Sequence, residues 1–150
     1  MEKNLFYNRY STQIDAFISA ALSEDIGEAD HTSRSCLDNT KNNAAKLIVK
    51  EKGVIAGVKL AEIIFEKVNP SIQFTCLIKD GTPVEVGDIV FTVEGPQYDL
   101  LTTERLVLNC MQRMSGIATL TKRLTGKIKH TQCRLLDTRK TTPNFRYPEK

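Results

Sequence analysis

The stretch RLLDTRKTTP, residues 134–143, decides how the chain is read. An apolar lead-in, Leu135 and Leu136, suits a short buried strand and gives way at once to Asp137, Thr138, Arg139, Lys140, Thr141 and Thr142. Six polar side chains in a row cannot all be buried, so they are expected at the mouth of that strand. The two adjacent cations offer different donors. Arg139 carries a planar fork that meets a carboxylate in two bonds, whereas Lys140 is a mobile point charge suited to a phosphate or a second carboxylate. A solvated basic turn is the plain alternative, and the surrounding sequence weighs against it.

Charge is unevenly placed along the 150 residues. Residues 121–150 hold 9 of the 21 basic side chains and 2 of the 18 acidic ones, a net of +7, while the first 120 residues net −4. The chain has no Trp and no aromatic residues interleaved with these cations, so a small multiply charged anion fits better than nucleic acid. A hydrophobic content of 41% is enough for a real core, in one domain or in a small domain plus a piece of another. No apolar run approaches membrane-spanning length and no cationic-apolar leader precedes the first helix, so no membrane partner and a cytoplasmic location are expected. Cys36, Cys76, Cys110 and Cys133 lie far apart without a CxxC pair, and only His31 and His130 could join them, which argues against structural zinc. Each lies in or beside an apolar or strand-like run, so buried free thiols in a reducing compartment are expected.

Upstream of the basic end, the first ten residues read as an arm. Ile14, Phe17, Ile18, Ala21 and Leu22 share one face of a helix beginning near Thr12 and stopping at Gly27. Glu24, Asp25, Glu28, Asp30 and His31 follow as an acidic loop with Thr32 and Ser33, better read as a capped, solvated turn than as a metal site. Residues 44–50 and 54–57 read as strands. Residues 58–68 form a helix with Val58, Ala61, Ile64, Phe65 and Val68 inward, ended by Asn69-Pro70. Ile72, Phe74, Cys76 and Ile78 then alternate at the period of a half-buried strand, and Asp80-Gly81 turns the chain. Residues 82–86 and 89–94 complete an antiparallel meander that Gly95-Pro96 breaks. Helices over some four strands make an open α+β sandwich. A lipoyl-type carrier module would present Lys79 at a hairpin tip, but no flanking methionine accompanies it, and an enzyme is the stronger reading. A long helix capped at Thr102 or Thr103 follows, with Leu106, Val107, Cys110, Met111, Met114, Ile117 and Ala118 on one broad apolar face. Ser115-Gly116 inside it is expected to admit a neighbouring backbone.

Three segments in this order carry a resemblance: ALSEDIGEADHTS (21–33), TTERLVLNCMQRMSGIAT (102–119) and DTRKTTPNFRYPEK (137–150). Together they resemble the N-terminal half of quinolinate phosphoribosyltransferase, the carboxylating nicotinate-nucleotide diphosphorylase family, with Ala29 standing where the family's EDIGxGDxTS turn has a second glycine. The resemblance implies an α+β sandwich over residues 1–101, a linker helix over 102–126, and over 127–150 the first strand and helix of a truncated βα barrel. It implies phosphoribosyl transfer from phosphoribosyl diphosphate to quinolinate with decarboxylation, in NAD biosynthesis. Arg105 matches the arginine of the family's ER motif, which reaches a partner subunit's site and contacts a quinolinate carboxylate, so a homodimer or higher assembly is implied. Thr138, Arg139 and Lys140 match the substrate-binding TRK, with Lys140 also catalytic. Arg146, Glu149 and Lys150 match the start of the first barrel helix, Glu149 in a structural role. Mg2+ would ride on the phosphoribosyl diphosphate, its ligands expected beyond Lys150. A chain ending there is expected to be an N-terminal piece, inactive alone. Related nicotinate or molybdenum-transport-associated transferases, and a non-catalytic anion-binding assembly module, are the alternatives.

Overall fold

The computed structural model describes residues 3–27 and 41–150. Helices α1 (Lys3–Arg9) and α2 (Ser11–Ile26) open the chain, and Gly27, at φ 57°, ends α2. The first ten residues are therefore mostly helix rather than an arm. Phe6, Tyr7 and Tyr10 supply the reason, since all three pack against the core and α1 buries an aromatic face of its own. In α2, Ile14 and Ile18 are buried as the helical spacing predicted, with Phe17, Ala21 and Leu22 packed beside them. Glu28, Asp30, His31, Thr32, Ser33 and Cys36 lie outside the described residues.

The main sheet has the order β1-β5-β3 (Asn42–Ile48, Ile89–Pro96, Gln73–Cys76), all antiparallel, with Leu47 opposite Phe91 and Phe74 opposite Val93. Central β5 buries Val90, Phe91 and Val93. The expected meander does not form. Instead β4 (Pro83–Val84) leaves the main sheet and pairs with β2 (Gly53–Val54) in a separate two-stranded ladder. The glycines permit this: Gly81 and Gly87 both take positive φ, and their N–H groups bond to the Ile55 and Val49 carbonyls at 2.8 and 2.9 Å. Gly95-Pro96 does not break β5 either, because the strand runs through Pro96 and turns directly into the next helix.

Helix α3 (Val58–Val68) has the bounds its sequence predicted and buries Val58, Leu60, Ala61, Ile64 and Phe65 against the sheet. Phe65, Phe74 and Phe91 stack there, the closest pair of ring centroids 4.6 Å apart. Both carboxylate oxygens of Asp80 accept from its first N–H groups, Val58 at 2.8 Å and Lys59 at 3.1 Å. That cap ties the turn carrying Lys79 to the body, which a projecting carrier hairpin would not do.

The long helix, α4, spans Gln97–Ile128, about 48 Å at the usual rise. It starts before the expected threonine cap. Thr102 and Thr103 lie inside it, buried, with hydroxyls donating to the Tyr98 and Asp99 carbonyls at 2.8 and 2.5 Å. Its buried stripe is Leu100, Leu106, Val107, Cys110 and Met111. Beyond Met114 the contact changes from apolar to hydrogen-bonded. Val54 N–H donates to Thr119 Oγ1 at 2.9 Å and Ala56 N–H to Ser115 Oγ at 3.0 Å, while Ser115 Oγ donates back to the Ala56 carbonyl at 3.2 Å. The SGIAT motif thus completes the backbone hydrogen bonding of β2 and the loop after it. The close approach expected at Gly116 occurs on the opposite side of the contact. A Cβ on Gly116 would meet nothing within 4 Å, whereas one on Gly57, at φ 95°, would lie 2.9 Å from Met114 Sδ and 3.3 Å from Met111 Cα.

After α4, the expected barrel strand is not formed: residues 133–137 pair with no neighbour, and Leu135 and Leu136 are exposed, Leu136 by 86%. A strand needs a partner for its backbone groups, and among the described residues none lies alongside. Helix α5 (Arg146–Glu149) ends the chain with Pro148 in its first turn, where no helical N–H is lost. The thiol expectation holds for Cys110, which is buried, and fails for Cys76 and Cys133, which are exposed, because β3 is an edge strand and residue 133 lies in the unpaired segment.

Two stability measurements check this packing. Gly57→Ala combines positive-φ strain with a clash against helix backbone and should lower stability by about 2 kcal/mol. Ser115→Ala orphans the Ala56 N–H and should cost about 1 kcal/mol, with Ser115→Thr closer to neutral. Chemical denaturation reads both, and unchanged midpoints would show that α4 is not seated through these contacts.

Candidate functional site

Residues 137–142 are held from two sides. From α4, Arg113 donates through Nε and Nη2 to Glu149 Oε1 at 2.9 and 2.6 Å, and through Nη2 to Thr142 Oγ1 at 2.8 Å. Thr142 in turn donates its hydroxyl to Glu149 Oε1 at 2.7 Å and its N–H to Oε2 at 3.2 Å. From α5, Arg146 donates to Thr141 Oγ1 and to the Arg139 carbonyl, each at 3.3 Å, and Lys150 pairs with Asp137. The Lys140 N–H closes a turn onto Thr138 Oγ1 at 3.1 Å. Helical spacing explains the arrangement: Arg146, Glu149 and Lys150 stand at i, i+3 and i+4, so one short helix presents three charged groups to one loop. Aromatic contacts seat that helix, with Phe145 5.3 Å from Phe17 and Tyr147 4.8 Å from Tyr10, centroid to centroid.

The outcome is an imbalance. Of the charged side chains in 137–150, Asp137, Arg146, Glu149 and Lys150 are engaged, and among the described residues those of Arg139 and Lys140 make no hydrogen bond or ion pair. Burial alone, the largest influence, would raise the Glu149 carboxyl, but hydrogen bonds from Thr142 and Arg113 and the Arg113 charge outweigh it and hold the group below its ordinary range. Two adjacent cations without partners, on a loop fixed by its other charges, form a surface suited to a dianion.

Thr138 and Lys140 line an open cleft of about 1010 Å³ between this loop and the exposed half of α4, with Asp137, Thr141, Lys122 and Lys129 in the same wall. Arg139 does not line it. Arg105 is elsewhere: it projects from α4 eight residues before Arg113, about 12 Å along the helix, and bonds to Asp25 of α2 at 2.9 Å while 73% exposed. One chain therefore places Thr138 and Lys140 in the cleft, carries Arg139 on the same loop outside the cleft lining, and leaves Arg105 apart. A second cavity of about 230 Å³, between β1 and α4, is lined by Leu, Phe and Val with only Lys46 and Glu104 charged, and it offers no comparable anion site.

Arg113 and the part played by Glu149 and Thr142 were not visible in the sequence as site components. The available signal was the pairing of QR before SGIAT with EK after DTRKT, but nothing in linear spacing shows that they meet. Nucleophilic thiol chemistry is disfavoured at Cys110 and Cys76, since burial pushes Cys110 up to about 11, and burial followed by the Asp80 and Glu62 charges raises Cys76. Among the described residues no three of His, Cys, Asp or Glu converge on a metal position, and Asp137 and Glu149 are engaged by Lys150 and Arg113. A magnesium ion therefore has no ligand set on these residues. No helix among the described residues is long and apolar enough to cross a membrane.

Comparison with known proteins bears on the fold and the family. The quinolinate phosphoribosyl transferase N-terminal domain model matches residues 30–115 and the C-terminal domain model residues 117–150, the division falling within α4. Quinolinate phosphoribosyltransferase (decarboxylating) 1 of Nicotiana glauca is 41% identical over 134 residues, 89% of this chain and 38% of that protein. The probable nicotinate-nucleotide pyrophosphorylase (carboxylating) of Synechocystis is 39% identical over 91% of this chain and 46% of its own length. Among solved structures, NadC from Streptococcus pyogenes superposes with a TM-score of 0.86 at 34% identity, over 92% of this chain and 50% of that one. The nicotinate-nucleotide pyrophosphorylase from Francisella tularensis gives 0.84 at 32%, over 92% and 49%. The chain thus spans about half or less of the length of the proteins it matches. On these matches and on the fold they share, the chain belongs to the quinolinate phosphoribosyl transferase family.

Proposed function

We propose that the chain contributes the anion-binding part of a quinolinate phosphoribosyltransferase, which joins quinolinate to the phosphoribosyl group of phosphoribosyl diphosphate with loss of CO2 and diphosphate. The observation that carries this reading is the pair of cations, Arg139 and Lys140, whose side chains have no partner among the described residues, on a loop whose other charges are all engaged. A pyridine dicarboxylate and a phosphoribosyl diphosphate together bring two carboxylates, a phosphate and a diphosphate. Neutralising them needs cations that the protein itself has not neutralised. In this reading Arg139 takes a carboxylate in its fork, Thr138 donates a hydroxyl hydrogen bond, and Lys140 stabilises the charge that develops as the ribose bond to diphosphate breaks. Catalysis is then positional and electrostatic, with no covalent intermediate on the protein.

Arg105 is assigned to the site of a second copy. Its distance along α4 from the loop, its exposure and its pairing, among the described residues, with Asp25 alone all support an action outside its own chain's cleft. For residues 127–150 we propose the opening of a βα barrel, supported by the match of residues 117–150 to the family's C-terminal domain. The exposed thiols of Cys76 and Cys133 suit a reducing compartment, consistent with a cytoplasmic enzyme.

Two experiments test the reading. Calorimetric titration of quinolinate should show binding that Arg139→Ala weakens by a few kcal/mol, as loss of a charge-assisted pair requires; unchanged affinity would remove Arg139 from the site. In the product of the whole gene, supplied with phosphoribosyl diphosphate and magnesium, Arg105→Ala and Arg139→Ala should each abolish CO2 release. Mixing the two inactive proteins should restore it if Arg105 serves a partner's site, and continued inactivity of the mixture would place Arg105 in its own chain's chemistry.

A further inference from the structure

We propose that Arg113 is a positioning residue for the Arg139–Lys140 pair, acting through Glu149 and Thr142 to hold residues 138–142 in the conformation that presents both cations. The inference rests on the reading of Arg139 and Lys140 as ligand-binding residues. Arg113 sits on the part of α4 that the core and the Ser115 contacts fix, so it can serve as an anchor. Its guanidinium bonds to Glu149 and Thr142 together, and Glu149 takes both the hydroxyl and the N–H of Thr142. Helix α5 is thereby set relative to α4, and Arg146, one turn before Glu149, then reaches the Arg139 carbonyl and Thr141. Five hydrogen bonds join Arg113, Glu149 and Thr142 to one another, and none involves the side chain of Arg139 or Lys140. The group places the cations without engaging them. A lysine at position 113 would keep the charge and could meet Glu149 and Thr142 from one nitrogen, as Nη2 does, but it would lose the second bond through Nε that fixes the direction of the fork.

The groups that face Glu149 are Arg113 from α4 and Thr142 from the loop, while Arg146 and Lys150 beside it turn to Thr141, the Arg139 carbonyl and Asp137. Lys140, Asp137, Lys122 and Lys129 line the adjoining cleft. Because the folded Glu149 carboxyl is held low, its contribution is complete above the ordinary carboxylate range and is lost as pH falls through the depressed value.

The test uses Arg113→Ala, Glu149→Gln, the double variant and Arg113→Lys, with two readouts. One is amide hydrogen exchange over residues 138–142. The other is sulfate affinity, followed by the amide shifts of the same residues; sulfate keeps its charge across the carboxylate range. Arg113→Ala and Glu149→Gln should each speed exchange and weaken sulfate by about tenfold, as losing one such charged contact implies. The double variant should be no worse than the weaker single, since both remove one unit, and Arg113→Lys should recover part of the affinity. Exchange across Val58–Val68 should not change. On acidification the unmutated chain should lose sulfate affinity, and Glu149→Gln should lack that limb; a limb surviving in Glu149→Gln counts against Glu149. Unchanged exchange in residues 138–142, or unchanged sulfate affinity in a chain that binds it, overturns the proposal. Should the unmutated chain bind neither sulfate nor quinolinate, the ligand-binding reading fails, and the exchange result alone decides whether Arg113 sets the loop. If Arg113→Ala does not fold, Glu149→Gln carries the same two readouts.

Discussion

Everything after residue 96 depends on α4 being one rigid helix seated on the core. Its first half is held by apolar burial through Leu106, Val107, Cys110 and Met111, its middle by the Ser115 and Thr119 hydroxyls bonding to the backbone of residues 54–56. These contacts differ in kind. Apolar burial is non-directional and would tolerate rotation or sliding of the helix, whereas two hydroxyls one turn apart, meeting alternate residues of an adjacent chain segment, fix both. Gly57 is required at the same place because a side chain there would strike Met111 and Met114. Arg113 lies between the two kinds of contact, so it inherits the rigidity of both, and the charged loop is built outward from it.

Most of the helical part of this arrangement was legible in the sequence because helices are local; α1, whose residues read as an arm, was not. Val58–Val68 came out residue for residue, since Gly57 precedes it, Asn69-Pro70 follows it and the apolar spacing between is regular. The strand pattern was legible but its pairing was not: alternation shows which face is buried and says nothing about which strand lies alongside. Residues 82–86 accordingly read as the next strand of a meander, while β4 in fact pairs with β2. Thr102 and Thr103 misled for a related reason. Threonine caps helices well, yet its hydroxyl can also bond four residues back, and with Asp99 and Tyr98 available the helix extends upstream. Leu135 and Leu136 carried a strand signal whose expression needs a neighbouring strand.

The candidate site divides along the same line. Composition and the RLLDTRKTTP run pointed to an anion site, because charge density is readable without coordinates. Which cations remain unengaged is a property of contacts. Seen linearly, Arg139, Lys140, Arg146 and Lys150 are four similar cations over twelve residues. In the fold, Arg146 and Lys150 hold the loop, and Arg139 and Lys140 are left over.

That division of labour has an electrostatic logic. Adjacent cations repel, and a loop bearing two of them would rearrange toward the nearest acid if it were free to do so. Asp137 and Glu149 are within the same segment and would be the natural partners. Both are instead occupied, Asp137 by Lys150 and Glu149 by Arg113 and Thr142. Occupying the acids with other cations is what leaves the Arg139 and Lys140 side chains facing solvent. The engaged pairs lie at the surface, where single ion pairs contribute little to stability, so their presence as an interlocked set is poorly explained by stability alone. It is better explained by the need to keep two charges available, since a site for a multiply charged anion works only if its cations have not already been neutralised from within.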